Sequence, residues 1–132
     1  MTMTDPIADL FTRIRNAGSA RRKRTDIPHS ILKEGVVDLL VREGFLADKQ
    51  VTDVGGRKRL RAYLKLDQDG ATVIGRIERV SRPGRRVYKK AREILRVLRG
   101  MGIGIYSTSH GVFSDGQCRE KQVGGEYLGK VW

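Results

Sequence analysis

Ser107-Thr108-Ser109 sets three hydroxyls in a row, after the apolar stretch Ile103–Tyr106 and before His110-Gly111. Each hydroxyl both donates and accepts a hydrogen bond. That dual capacity suits ribose 2′-OH groups and base edges, and the short side chains let a ligand approach the backbone closely. Alone, the triplet reads more simply as a polar loop whose hydroxyls cap local backbone groups. Its company changes that reading. Arg82-Pro83-Gly84-Arg85-Arg86 is an arginine-rich turn, with Pro83 and Gly84 in the order of a type II turn, and Tyr88-Lys89 follow. Arginine forks match phosphate oxygens two at a time. A tyrosine on a short strand offers a ring on which a base or sugar can stack.

Other chemistries fit poorly. Ser107 or Ser109 with His110 and Asp115 supplies the residue types of a hydrolase triad. However, Ser109 and His110 are adjacent and point apart in an extended chain, and no G-x-S-x-G elbow exists. Gly100-Met101-Gly102-Ile103-Gly104 leads from an expected helix into a strand, whereas a phosphate loop needs the reverse order. His29 and His110 lack metal-ligand spacing, and the lone Cys118 permits no intramolecular disulfide. The sequence therefore predicts no catalytic residue, metal site or cofactor.

The charge balance points to a polyanion. The 132 residues carry 27 Lys and Arg against 15 Asp and Glu, a formal net charge of +12. Self-repulsion on that scale works against a compact state unless an anionic partner compensates it. Ten cations lie between Arg76 and Arg99 against Glu78 and Glu93 alone, and Arg57–Lys65 holds five more. A hydrophobic fraction of 39% is enough for a packed core. No apolar run approaches the ~20 residues that span a bilayer, and Met1–Phe11 has no signal-peptide pattern, so no membrane role is expected. Zinc-finger, basic-zipper, RRM and GXXG patterns are missing. The contact surface then lies on strand ends and turns, which suits an irregular RNA helix.

The expected fold is α+β, two small α/β lobes meeting at Asp67–Gly70: residues 1–70 as αβαββ, residues 71–132 as a mostly-β RNA-binding lobe with one helix and one short helical turn. Asp5 is an N-cap with Pro6 in the first turn. Ile7, Leu10, Phe11 and Ile14 recur at helical spacing, and Gly18 ends that helix in the left-handed region. Pro28-His29-Ser30 starts a second helix that stops at Gly44. Phe45–Thr52 and the strictly alternating Leu60–Leu66 read as strands. Ala71–Val80 reads as a strand and Arg85–Tyr88 as a short one. Ala91–Arg99 is expected as a helix with Ile94, Leu95, Val97 and Leu98 inward. Ile103–Tyr106, Val112-Phe113 and Glu126–Trp132 complete the strands, and Ser114-Asp115 caps a single helical turn.

Val80–Tyr88, Gly102–Val112 and Gly124-Gly125-Glu126, with Asp5–Asp9 and Thr12–Asn16, resemble the bacterial small-subunit ribosomal protein eight family. The likeness covers the whole chain in order. It implies a ribonucleoprotein constituent of the cytoplasmic small ribosomal subunit, binding the central domain of 16S rRNA directly and helping to assemble the platform. It implies rRNA contacts at Ser107, Thr108, Ser109, Gly111, Arg82, Pro83, Gly84, Arg85, Arg86, Tyr88 and Lys89. A second stretch of rRNA would meet Asp5, Pro6, Thr12, Arg13, Arg15 and Asn16. Ribosomal proteins five and twelve are the implied neighbours, and a monomer is implied outside the ribosome. Members of such a family repress translation when an mRNA imitates the rRNA site, which makes the chain's own operon mRNA a further candidate partner. Phe113, Ser114, Gly116 and Lys130 depart from the family pattern. Gly116 weakens a short helix by up to ~1 kcal/mol, and Lys130 is expected on the solvent side of the last strand.

Overall fold

A computed structural model describes residues 4–132; Met1–Met3, where the expected first lobe begins, lie outside the described residues. The first half runs α1 (Pro6–Ser19), β1 (Arg24–Pro28), α2 (Ile31–Arg42), β2 (Leu46–Val54), β3 (Arg57–Leu64). Asp5 Oδ1 accepts from the Ala8 N–H at 3.1 Å, and Ser30 Oγ from the Lys33 N–H at 3.1 Å. These bonds satisfy donors that a helix start otherwise leaves unpaired. The strands form an antiparallel sheet in the order β1-β3-β2. Its inner face carries Ile27, Leu60, Ala62 and Leu64, all buried beneath the two helices.

The second half adds β4 (Ile77–Arg79), β5 (Tyr88–Lys89), β6 (Ile103–Thr108), β7 (Gly111–Ser114), α3 (Asp115–Lys121) and β8 (Gly125–Val131). Its antiparallel sheet runs β4-β8-β6-β7, and β5 pairs with the start of β8. The fold is α+β, with a three-stranded and a five-stranded sheet. One large core takes Leu10, Phe11, Ile14, Val36 and Leu40 from the first half and Ile77, Ile105, Leu128 and Val131 from the second. A small cluster of Ile94, Tyr106 and Cys118 has Phe113 and Tyr127 packed on it.

Several local expectations need correction. Gly18 is not left-handed: α1 continues to Ser19, and Arg21 takes the positive φ of 55°. A Cβ on Gly18 would come within 2.9 Å of the Thr72 methyl, so close packing is its constraint. Ala71–Val80 is a strand only over Ile77–Arg79. Before it, the Gly75 and Arg76 N–H groups both donate to the Trp132 carbonyl, at 2.7 and 2.8 Å, and the chain bends around that oxygen. The expected helix Ala91–Arg99 is absent. A single 3₁₀ turn covers Ala91–Glu93 and a second Leu98–Gly100, with extended residues between. Ile94 and Val97 are buried, but Leu95 is 77% and Leu98 49% exposed. A helix would stack Arg92, Arg96 and Arg99 on one face at i, i+4 and i+7, and like charges at that spacing destabilise it. Gly84 lacks the positive φ of a type II turn. The Arg82–Arg85 turn closes instead with reciprocal backbone bonds of 3.1 and 2.9 Å.

The real helix of the second half is α3, where a single turn was expected. Ser114 and Gln117 cap it reciprocally: Ser114 Oγ accepts from the Gln117 N–H at 3.1 Å, and Gln117 Oε1 from the Ser114 N–H at 2.9 Å. Lys130 is half-buried, its Nζ 5.6 Å from the centre of the Trp132 ring. Cys118, on α3, is fully buried, and its thiol is pushed up to about 11, first by burial and then by the Asp115 carboxylate. A buried neutral thiol is a packing group. Cys118→Ala is expected to cost about 1 kcal/mol of stability and leave RNA affinity unchanged. A tenfold loss in a binding titration would assign the residue a different role.

Candidate nucleic-acid interface

The hydroxyl triplet ends β6 and enters a two-residue hairpin loop, Ser109-His110, with Thr108 paired to Gly111. The three hydroxyls do different things. Thr108 Oγ1 donates to the Gly111 carbonyl at 2.7 Å and accepts from the His110 N–H at 3.0 Å, so it builds the loop. Among the described residues, the Ser107 and Ser109 hydroxyls have no hydrogen-bond partner, and Ser109 is exposed. They remain available to a ligand.

Sheet register brings the separated sequence motifs together. Ser107 lies opposite Glu126 on β8, and Glu126 lies opposite Tyr88 on β5. Directly paired residues point to the same face, so Ser107, Glu126 and Tyr88 form one row. At one strand spacing per step, Tyr88 stands about 10 Å from Ser107. Tyr88 is 67% exposed. Gly124 and Gly125 permit this row. A Cβ on Gly124 would overlap the Lys89 carbonyl, and one on Gly125 the Ser107 carbonyl, so any larger residue forces the three strands apart.

The turn before Tyr88 hangs on one buried hydroxyl. Ser81 Oγ accepts from the Val87 N–H at 3.0 Å and donates to Glu126 Oε2 at 2.6 Å, and Arg86 joins Glu126 at 3.1 Å. Sequence reasoning misses Ser81 and Glu126 as site residues, although both lie in stretches that carry the family resemblance, Val80–Tyr88 and Gly124-Gly125-Glu126. Of the ten cations between Arg76 and Arg99, Arg76, Arg79 and Arg86 pair with carboxylates. The other seven make no ion pair among the described residues. Arg82 and Arg85 are exposed, Pro83 and Lys89 half-buried and Gly84 exposed on the same turn and strand.

The residues of α1 divide. Thr12, Arg15, Arg82 and Pro83 line one open cavity of about 470 Å³, which joins the first helix to the arginine-rich turn. Pro6 and Asn16 are exposed. Arg13 is held by Asp9 at 2.9 Å and by the Asp26 carbonyl at 3.0 Å, and Arg15 donates to the Ile77 carbonyl. Asp5 is occupied within the protein, by its cap bond and by Arg79 at 3.1 Å. Its carboxylate orients α1 and also lines the cavity shared with Thr12 and Arg15. Among the described residues, no group of His, Cys, Asp and Glu could hold a metal ion.

The family model for ribosomal protein S8 matches residues 5–132. The chain belongs to the ribosomal protein S8 family. Relatives named small ribosomal subunit protein uS8, from Streptococcus thermophilus and Streptococcus agalactiae, are 46% identical over 132 residues, covering all of both chains. One from Streptococcus equi subsp. zooepidemicus is 45% identical over the same full length. As an S8-family protein, the chain is a structural constituent of the small subunit of the cytoplasmic ribosome. It serves translation by binding rRNA and is not an enzyme. No described helix is long and apolar enough to cross a membrane.

Proposed function

We propose that this chain binds the central domain of 16S rRNA directly and helps to build the platform of the small subunit. One observation carries the reading: Ser107 on β6 and Ser109 on its hairpin loop, two hydroxyls without a partner among the described residues, stand on the same sheet edge as the exposed Tyr88 ring, beside cations with no carboxylate partner among those residues. The hydroxyls read ribose and base edges, Tyr88 stacks, and Arg82, Arg85 and Lys89 hold phosphates. The α1 residues around Thr12 and Arg15 meet a second stretch of the RNA across the shared cavity. The labour divides at Gly70: residues 71–132 supply the main contact, and residues 1–70 the support and the second contact. The chain is a monomer until assembly. The same surface would accept an operon mRNA folded into the same irregular helix.

Ribosomal proteins five and twelve are the proposed neighbours. Leu95 and Met101, 77% and 82% exposed, offer apolar anchors on a segment that lies outside the hydroxyl row.

The test is footprinting on naked small-subunit rRNA together with a salt titration. Protection is expected on one irregular helix of the central domain. Each phosphate contact contributes about 0.7–0.9 to the slope of log K against log salt. Arg85→Ala is expected to weaken cognate and arbitrary RNA alike and to make the slope shallower by about one such unit. Arg86→Ala should do less, since Glu126 shares its charge. An unchanged slope for Arg85→Ala would remove the phosphate role of the turn.

A further inference from the structure

The outer face of the first sheet is a second cationic surface, apart from the hydroxyl row on the second sheet. Helices α1 and α2 pack on the inner face through Leu60, Ala62 and Leu64. Strand alternation therefore turns Arg57, Arg59, Arg61 and Tyr63 of β3 outward. Cross-strand register adds Arg24, opposite Tyr63, and Asp26, opposite Arg61. Asp26 grips Arg61 with both oxygens, at 2.8 and 3.3 Å. Burial works against its charge less than the Arg61 bond favours it, and the nearby Arg59 and Arg24 add to a carboxyl held below the usual range. Asp26 thus acts as a splint inside an arginine cluster. Arg24, Arg57 and Arg59 have no ion-pair partner among the described residues. Asp48 is the other carboxylate on this face.

The geometry also gives the row reach. Strands β2 and β3 run on past the end of β1, which stops at Pro28 opposite Arg59. Gly55 and Gly56, with φ of 61° and 79°, close this finger in the tight turn that matches strand twist. Arg57 and Arg59 point the same way about 6.8 Å apart, two strand residues. That separation is comparable to successive phosphates along a nucleic-acid strand. Arginine forks, a neighbouring tyrosine and regular spacing suit a backbone-tracking surface. An acidic protein would need apolar anchors at the centre of its contact. The exposed apolar side chain at the finger end is Val54, at the rim.

We propose that this outer face, through Arg24, Arg57 and Arg59, binds the phosphate backbone of a further RNA segment, distinct from those held by the hydroxyl row and by α1. The proposal takes from the proposed function only that the anionic partner is RNA. The test uses the full chain, the cognate central-domain helix and a labelled RNA duplex of arbitrary sequence. Chain saturated with the cognate helix is titrated with the duplex at several salt concentrations. The triple variant Arg24→Gln, Arg57→Gln, Arg59→Gln, shown by its melting curve to be folded, is compared with wild type. The variant is expected to bind the duplex at least tenfold more weakly, with a salt slope shallower by about two to three units. Its affinity for the cognate helix stays within twofold. Unchanged duplex binding overturns the proposal, and so does an equal loss on the cognate helix, which would merge the two surfaces. Binding of a polyglutamate peptide, but not the duplex, through the same three arginines would assign the face to an acidic protein and also overturn it. Failure of wild type to bind the cognate helix would strike the proposed function alone, because titrating the free chain with the duplex still tests the face.

Discussion

Replacing Ser107 and Ser109 together by alanine is expected to lower affinity for the cognate rRNA helix roughly tenfold or more. Each lost hydrogen bond contributes about 0.5–1.5 kcal/mol, and more where an RNA group is left buried and unpaired. Among the described residues neither hydroxyl has a partner, so the double variant should melt with wild type. Thr108→Ala should behave differently. Its hydroxyl holds the hairpin through Gly111 and His110, so that variant loses stability as well as affinity. The serines carry no charge, so the salt slope should not move, and binding to an arbitrary duplex should change little. Titration of both RNAs at several salt concentrations checks each point. A shallower slope with discrimination intact would mean that the hydroxyl row does not read the RNA.

Arg79→Ala is expected to be the most destabilising polar substitution. The Arg79 and Asp5 side chains are only 8% and 17% exposed. Arg79 also donates to the Leu128 carbonyl at 2.6 Å, tying the start of α1 to both β4 and β8. Removing one partner of such a pair leaves a desolvated charge and typically costs about 3–5 kcal/mol. For a chain of this length that lowers the melting temperature by roughly 10 °C or more. Burial disfavours the Asp5 charge, but Arg79 and the Ala8 and Ile7 N–H groups outweigh it and hold the carboxyl below its usual range. The sign follows: the pair's contribution is complete above about pH 4 and fades as pH falls through the lowered folded-state value. Without Arg79, Asp5 protonates more readily, so the gap between variant and wild type should narrow toward pH 3. Denaturant titrations at pH 7 and pH 3 measure this. An equal gap at both would reduce Arg79 to a packing role.

Elements with a strong local signal were legible in the sequence. The N-cap at Asp5, the helical stripes of α1 and α2 and the alternation along β3 each encode their structure within a few residues. The cationic excess and the hydroxyl triplet were equally plain, and the resemblance assembled them into a family. Ala91–Arg99 shows the limit. Its apolar residues fit a helix, yet Leu95 and Leu98 found no surface to bury against, and only Ile94 and Val97 entered the core. Gly116 suggested a weak turn, but reciprocal capping by Ser114 and Gln117 set α3. Within the site, residue type said that a carboxylate, an arginine and three hydroxyls were present. It did not say that Asp5 would be consumed by Arg79, Arg86 shared with Glu126, or Thr108 spent on its own loop. Those assignments depend on which strands lie side by side. Tyr88, Ser107 and Glu126 are far apart along the chain and become one row only when β5, β8 and β6 pair in a single register. Sequence therefore determined the chemistry available to this protein, because side-chain type and local spacing are properties of the chain. Tertiary structure decided which groups stay free for a ligand, because hydrogen bonds and ion pairs within the fold claim the others first.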